Sequence, residues 1–394
     1  MNKRSVRDLD VGGKAVLVRV DFNVPVKDGE VTDDTRIRRA LPTIRYLLEK
    51  RARPVLLSHL GRPKGEPNPR YAMDPVATRL EELLGAPVLK LDAAVGPEVE
   101  EALKNWDVEG GVALLENSRF YPGETKNDSD LAQQLSALAD LYINDAFGAA
   151  HRAHATTVGV AEHLPAAAGL LMEDEIDYLD KVLRDPERPF VAILGGAKVS
   201  DKVGVIESLL SVADFLLIGG AMCFTFFKAQ GYEVGKSLVE DEYAEEARRL
   251  IDEAGERLVL PVDIVVAERM EEDARSQTVR VEEIPENVMG LDVGPETVRR
   301  FRELIAKSRT VFWNGPMGVF EMEDFAKGTE GVARAVAESE GTKIVGGGDS
   351  VAAVTMLGLE NAMSHISTGG GASLEYIEGK ELPGIAVLPN KEDA

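Results

Sequence analysis

A single cysteine, Cys223, stands among 394 residues. An internal disulfide is therefore excluded, and a thiol between Met222 and Phe224 reads as a small buried hydrophobe in a reducing compartment such as the cytoplasm. Long apolar runs are also missing. The most apolar window, Ala213 to Phe227, is broken by glycines, carries Asp214 and falls short of the roughly 20 residues a membrane helix needs. The opening Met1-Asn2-Lys3-Arg4-Ser5-Val6-Arg7-Asp8 has no apolar stretch of the signal-peptide kind. Cations are scarce: 45 Lys and Arg against 68 Asp and Glu leave a net charge of −23, which repels nucleic acid and anionic membrane as partners. Any anion site in such a chain has to gather its cations locally.

What is present is an α/β pattern. The length calls for two domains, and 44% hydrophobic residues, interrupted regularly by Gly and Pro, suit globular cores. The apolar run Val191 to Leu194 leads into Gly195-Gly196-Ala197-Lys198-Val199-Ser200-Asp201-Lys202 and then Val203, Ile206 and Leu210 at helical spacing. This reads as strand, glycine turn and helix start, with Lys198 and Lys202 one turn apart on one side, where free N–H groups attract phosphate. Alone, such a turn is equally ordinary punctuation. The plan recurs, however, at Ile344-Val345 with Gly346-Gly347-Gly348-Asp349-Ser350, and at His365-Ile366-Ser367 with Thr368-Gly369-Gly370-Gly371-Ala372-Ser373. The shared explanation is a surface where strand ends meet a nucleotide.

In the first half, charge follows strand ends. Ala15 to Val20 runs into Asp21-Phe22-Asn23-Val24-Pro25, and Val55 to Ser58 into His59-Leu60-Gly61-Arg62-Pro63. Val112 to Leu115 runs into Glu116-Asn117-Ser118-Arg119-Phe120, and Leu141 to Asn144 into Asp145-Ala146-Phe147-Gly148 and His151-Arg152-Ala153-His154. Val31 to Arg36 reads as a capped helix start with Ile37, Leu41 and Ile44 on one face. Arg36, in that first turn, is poorly placed for the helix dipole; it is either simply solvated or kept there to meet an anion. Outside the carboxyl ends of a parallel sheet, Arg36, His59, Arg62, Arg119, His151, Arg152 and His154 can converge.

Taken in order, Arg19 to Pro25, Ser58 to Pro63, Asn144 to Gly148, His151 to His154, the lysine turn, Trp313-Asn314-Gly315-Pro316 and both later glycine runs resemble phosphoglycerate kinase over nearly the whole chain. Ser118, where an apolar residue is more usual, is the nearest variation. The resemblance implies two doubly wound, Rossmann-like parallel-sheet domains facing a central cleft and joined by a linker helix. The implied spans are 1–170, with the tail 380–394 returning to it, 171–184 for the helix and 185–379. Ile176, Leu179 and Leu183 are at helical spacing before Asp185-Pro186, which suits that linker and equally an ordinary peripheral helix.

The implied activity is reversible phosphoryl transfer from 1,3-bisphosphoglycerate to ADP, giving 3-phosphoglycerate and ATP, with Mg²⁺ and domain closure, in a cytoplasmic monomer. Both nucleophiles, a phosphate oxygen and a carboxylate, are ionised at neutral pH, so no general base is needed and catalysis reduces to alignment and charge neutralisation. By resemblance Arg36 and Lys198 hold the transferring group, and Asp21, Asn23, Arg36, His59, Arg62, Arg119 and Arg152 bind phosphoglycerate. Lys202, Gly219, Gly290, Asn314, Glu321, Gly347, Gly348, Asp349 and Ser350 bind the nucleotide, with Asp349 on the metal. Asp349 has a plainer alternative as a helix N-cap. One segment, Gly231-Tyr232-Glu233-Val234-Gly235-Lys236-Ser237, approaches a P-loop but has three residues between its glycines instead of four, and reads as a loop. A P-loop NTPase and a two-domain binding protein that closes on an anion without chemistry are the rivals.

Overall fold

Strands without polar alternation open both halves of the chain. Ala15–Arg19 and Phe190–Leu194 are buried along nearly their whole length, the pattern of parallel sheets covered by helices on two faces. The computed structural model describes residues 2–106 and 110–393. Met1, 107–109 and Ala394, within the expected spans 1–170 and 380–394, lie outside the described residues. The chain falls into two compact units, Met1–Asp177 with Glu381–Ala394, and Tyr178–Lys380.

The first unit is built on six parallel strands in the order Val88–Lys90, Val112–Leu114, Arg53–Leu57, Ala15–Arg19, Leu141–Asn144, Ala166–Ala168. Val18 pairs with Leu56 on one side and Ile143 on the other, and these pack with Ile37, Leu41 and Ile44 of the helix Thr35–Glu49 in one core. That helix starts differently from the sequence expectation. Glu30–Val31 is a short strand, and the N-cap Asp34 makes no side-chain cap. Asp33 Oδ1 instead accepts from Thr35 N at 2.9 Å, because the Asp34 carboxylate is drawn to Arg38 and Arg79 at 2.8 and 2.6 Å. The chain's end is tied to this unit: Lys3 Nζ donates to the Leu388 carbonyl at 2.7 Å, and Asn144 Nδ2 to that of Gly384 at 3.0 Å.

In the second unit six parallel strands follow the order Leu258–Val259, Phe215–Ile218, Phe190–Leu194, Thr310–Asn314, Thr342–Gly346, His365–Ile366. Chain order reverses between Phe190–Leu194 and Thr310–Asn314, the switch point where doubly wound sheets bind ligands. Beside it stands a three-stranded antiparallel sheet, with Asp263–Ala267 between Gln277–Arg280 and Met289–Val293.

Buried carboxylates start several helices. Asp263 accepts from the Glu296 and Thr297 amides at 3.0 and 2.8 Å, opening Pro295–Ile305. Asp292 accepts from Gly328 N at 2.6 Å, at the start of Lys327–Glu338. Asp145 accepts from the Leu171 and Met172 amides, and burial pushes its carboxyl up to about 7. The helix those amides begin, Leu170–Arg184, buries Ile176, Leu179 and Val182, while Leu183 is only half-buried. Among the described residues no helix is long and apolar enough to cross a membrane.

Candidate functional site

In the first unit four strand ends deliver polar groups to one rim. Arg19, last in its apolar strand, is fully buried. Its Nε donates to Thr156 Oγ1 at 3.0 Å, Nη1 to the Val20 carbonyl, and Nη2 meets His59 Nδ1 at 2.9 Å. A guanidinium only donates, so Nδ1 accepts and the ring proton sits on Nε2. Burial first, then the charges of Arg19, Arg119, Arg36 and Arg152, hold His59 well below its ordinary pKa of 6.5. Four arginines therefore surround one neutral histidine, which carries an N–H donor at Nε2 and not a positive charge.

The loops carrying these groups are cross-tied. Asn117 Oδ1 accepts from Leu60 N at 3.2 Å while its Nδ2 donates back to the Leu60 carbonyl at 2.7 Å. Asn23 Oδ1 accepts from Gly61 N at 2.8 Å, and Arg119 Nη1 donates to the Gly61 carbonyl at 3.0 Å. Gly61 has φ +61°, and a Cβ there would lie 2.3 Å from the Tyr71 ring, so only glycine fits. Arg36 Nη1 donates to Asp21 Oδ2 at 2.7 Å, leaving most of its fork of donors free. Arg152 is half-buried, and Arg62 is exposed beside Gly61. His154 departs from the expected rim, for its Nδ1 lies 3.3 Å from the buried Glu124. Burial works against the Glu124 charge, yet His154, Arg19 and Thr156 hold it below its ordinary pKa. Glu124 in turn lies 3.7 Å from Arg119 Nε and backs it with negative charge.

In the second unit the switch point is made of touching backbones. Gly195 N donates to the Asn314 carbonyl and Gly196 N to that of Pro316, at 2.9 and 3.1 Å. A Cβ on Gly195 would come within 2.0 Å of the Pro316 oxygen, and one on Gly315 within 2.3 Å of the Gly195 oxygen. The lysine turn also corrects the sequence expectation. Residues 195–202 form an irregular loop and the helix begins only at Val203, so Lys198 and Lys202 do not share a side of its first turn. Lys198 is exposed, whereas Lys202 is buried and donates to Asn314 Oδ1 at 2.7 Å. Burial pulls the Lys202 ammonium down to about 8, with Asp349 and Asp201 opposing.

Because a lysine only donates, Oδ1 of Asn314 must face it, and Nδ2 then faces the Gly347 end of the helix Gly348–Met356. That Nδ2 is buried with no hydrogen-bond partner. Together with the free amides of the helix start it forms a donor cradle fitted to a phosphate. Ser350 Oγ accepts from Gly315 N and fixes the helix to the strand end. Gly347 is the N-cap, so Asp349 lies inside the first turn and is not the cap; it is exposed.

A cavity of about 480 Å³ runs from these turns into the unit, with Gly196, Ala197 and Asp349 at one end and Phe224, Ile264 and Leu291 in an apolar slot. Gly290 lies in its wall beneath Phe224, and Glu321 lines it from an exposed position. Gly219 is not in the lining; it packs on Met317, and Gly220 lines the cavity instead. Cys223 forms part of the wall, its thiol pushed up by burial. The Gly231–Ser237 segment is a loop, as expected, and no helix follows directly on it.

Sequence reasoning missed Arg19, Glu124, Phe224 and Leu291. Arg19 had a signal, a lone cation ending an apolar strand; Phe224 and Leu291 meet from distant segments and had none.

The family model described as phosphoglycerate kinase matches residues 6–380. A phosphoglycerate kinase of Rubrobacter xylanophilus is 75% identical over 393 residues, covering 100% of both chains. One of Moorella thermoacetica is 58% identical, covering 99% of this chain and 100% of its own. Among solved structures, phosphoglycerate kinase from Coxiella burnetii superposes with TM-score 0.88 at 43% identity, covering 98% of each chain. That from Pyrococcus horikoshii does so with TM-score 0.84 at 34% identity and the same coverage. Cation-ringed strand ends in one unit, a cavity reaching the glycine turns in the other, and matches spanning the whole length have one common meaning: the chain belongs to the phosphoglycerate kinase family.

Proposed function

We propose that the enzyme interconverts 1,3-bisphosphoglycerate plus ADP with 3-phosphoglycerate plus ATP in glycolysis, holding the phosphoglycerate on Met1–Asp177 and the magnesium nucleotide on Tyr178–Lys380. The observation that carries this reading is the cavity of about 480 Å³, whose apolar slot suits a flat base and whose far end meets the glycine turns. Glu321, a carboxylate, suits ribose hydroxyls. Gly347, Gly348 and Ser350 present helix-start donors to phosphate, and Lys202, through Asn314, orients the buried Nδ2 toward the same place.

On the other unit the neutral His59 donates from Nε2, and Arg62, Arg119 and Arg152 supply fixed donor forks for phosphate and carboxylate oxygens. Asp21 and Asn23 orient Arg36 and the Gly61 turn. Arg36 and Lys198 neutralise the transferring phosphoryl from opposite units, so turnover requires domain closure to bring them together and expel water. No residue has to accept a proton, because both nucleophiles are anions. Asp349, an exposed carboxylate at the glycine-turn end of the cavity whose field reaches Lys202, fits a hard cation that takes one or two protein carboxylates. Asp349 would hold the Mg²⁺, which when bound would supply charge neutralisation for the phosphates. A cytoplasmic monomer completes the proposal.

The test is ADP formation from magnesium ATP with and without 3-phosphoglycerate, using the wild-type chain and Lys198→Ala. Turnover dependent on 3-phosphoglycerate, and reduced by about 10³-fold or more in the variant with nucleotide affinity kept, is the expected result. Turnover with ATP alone would point to an NTPase, and binding of both ligands without turnover to a non-catalytic binding protein.

A further inference from the structure

Lys198 sits on an irregular turn that makes few regular hydrogen bonds of its own, so something else has to give it a shape. Within 197–202 the backbone is tied by Lys202 N to the Val199 carbonyl at 2.8 Å. The stronger restraint comes from Glu240, 40 residues away in sequence. Its Oε2 accepts from Ser200 N at 3.0 Å and its Oε1 from Ser200 Oγ at 2.6 Å. The Val199 amide and the Lys198 charge also act on it. Glu240 is anchored in turn, its own N–H donating to Thr225 Oγ1 at 3.1 Å, and Thr225 is buried in the helix Cys223–Gln230. Burial works against the Glu240 charge, but the two Ser200 bonds, with the Val199 amide and the Lys198 charge nearby, outweigh it and keep the carboxyl below its ordinary pKa.

We propose that Glu240 is a positioning residue for phosphoryl transfer: its carboxylate clamps the 197–200 turn that carries Lys198, directly after Gly196 and Ala197 in the cavity wall. The proposal rests on the assignment of Lys198 to the transferring group. Glu240 does not touch a ligand in this scheme. By charge alone it would repel phosphate, so its presence beside a phosphate-seeking lysine is explained by geometry. A purely electrostatic role and a positioning role therefore predict opposite results: loss of the charge would strengthen nucleotide binding in the first case, whereas loss of the clamp lowers kcat in the second.

The experiment compares Glu240→Ala and Glu240→Gln with the wild-type chain in steady-state kinetics and amide hydrogen exchange, checking melting temperature and ADP affinity. Glu240→Ala is expected to lower kcat by about tenfold to a hundredfold, the scale of a misplacement of about 1 Å, with the KM for ATP within about twofold. Exchange at the Ser200 amide should speed up by about tenfold, one hydrogen bond's protection. Glu240→Gln, which keeps one acceptor oxygen, should fall between, and adding Ser200→Ala to Glu240→Ala should cost nothing further. Unchanged kcat, a fall in KM with kcat kept, or unchanged Ser200 exchange overturns the clamp. Lys198→Ala measured in parallel separates the two claims: full turnover there overturns the assignment of Lys198, while Ser200 exchange still decides whether Glu240 holds the turn.

Discussion

Around His59 the polar groups answer one another: Arg19 fills its bonds with Thr156, the Val20 carbonyl and the ring, and Arg119, Asn23 and Asn117 tie the loops together. Both sites keep a buried donor without a partner, Arg119 Nε in the first and Asn314 Nδ2 at the start of Gly348–Met356, but in the second Lys198 is also exposed on an irregular turn. Both sites lie at the carboxyl ends of doubly wound sheets, so the fold does not account for the difference. Leaving a buried donor unpaired costs about 1–3 kcal/mol, which a bound phosphate oxygen would offset. The loops of the first site are cross-tied by side chains, whereas the helix-start donors of the second are left open. That division suits a reaction in which the acceptor stays in place while a phosphoryl group leaves the nucleotide.

The largest effect that tests the contrast is at Arg36. Among the described residues Asp21 holds it, at 2.7 Å, and it is half-exposed, so it is loosely tied enough to follow a moving group. Arg36→Ala is expected to reduce kcat by about 10³-fold, the lower end of the effect of an arginine on a transferring phosphoryl, with a smaller change in the KM for 3-phosphoglycerate. A change confined to KM would move Arg36 into the rigid frame and blur the comparison.

A smaller effect distinguishes the two glycine positions. Gly61→Ala meets both φ +61° and the Tyr71 ring at 2.3 Å, so it should destabilise the fold by about 1 kcal/mol or more and raise the KM for 3-phosphoglycerate with that for ATP unchanged. A Cβ on Gly348 meets nothing within 4 Å, so Gly348→Ala should keep the melting temperature and weaken nucleotide binding only. Equal melting temperatures for the two variants would remove the distinction between a prebuilt frame and an open cradle.

The two sites also differ in how far the sequence reveals them. Strand ends followed by Arg, His or a glycine run are local patterns, so His59, Arg119, Lys198 and the 346–350 turn could be found without coordinates. The antiparallel sheet could not, because Gln277–Arg280 is mostly exposed and carries no apolar alternation. The cavity wall that brings Phe224 and Leu291 together is likewise a product of tertiary packing. The helical spacing from Val203 is legible, but the placing of Lys198 and Lys202 on one side of a first turn is not, because a carboxylate 40 residues from Ser200 ties the preceding loop. Glycine marks where backbone can approach, but not which distant side chain will hold it.

The finest probe of the comparison is the protonation of His59. Arg19 donates into Nδ1, so a second ring proton would have to displace a buried guanidinium while facing three further arginine charges. Unfolded, the ring takes up its proton as the pH falls through 6.5; folded, its pKa lies well below that. The unfolded state therefore binds more protons below pH 6.5, and this residue's contribution to stability is present above that value and declines as the pH falls toward the folded pKa. Nitrogen-detected NMR of the ligand-free enzyme should show one neutral ring with its proton on Nε2, unchanged between about pH 8 and pH 6, where an ordinary histidine is largely protonated at the lower end. Arg19→Met should release the ring, raising its midpoint toward 6.5 and letting the tautomer shift, while Lys198→Ala should leave it untouched. A midpoint near 6.5 in the wild-type chain would mean that the ring is a cation available to phosphate, and that the first site, like the second, waits for its ligand to settle its charge.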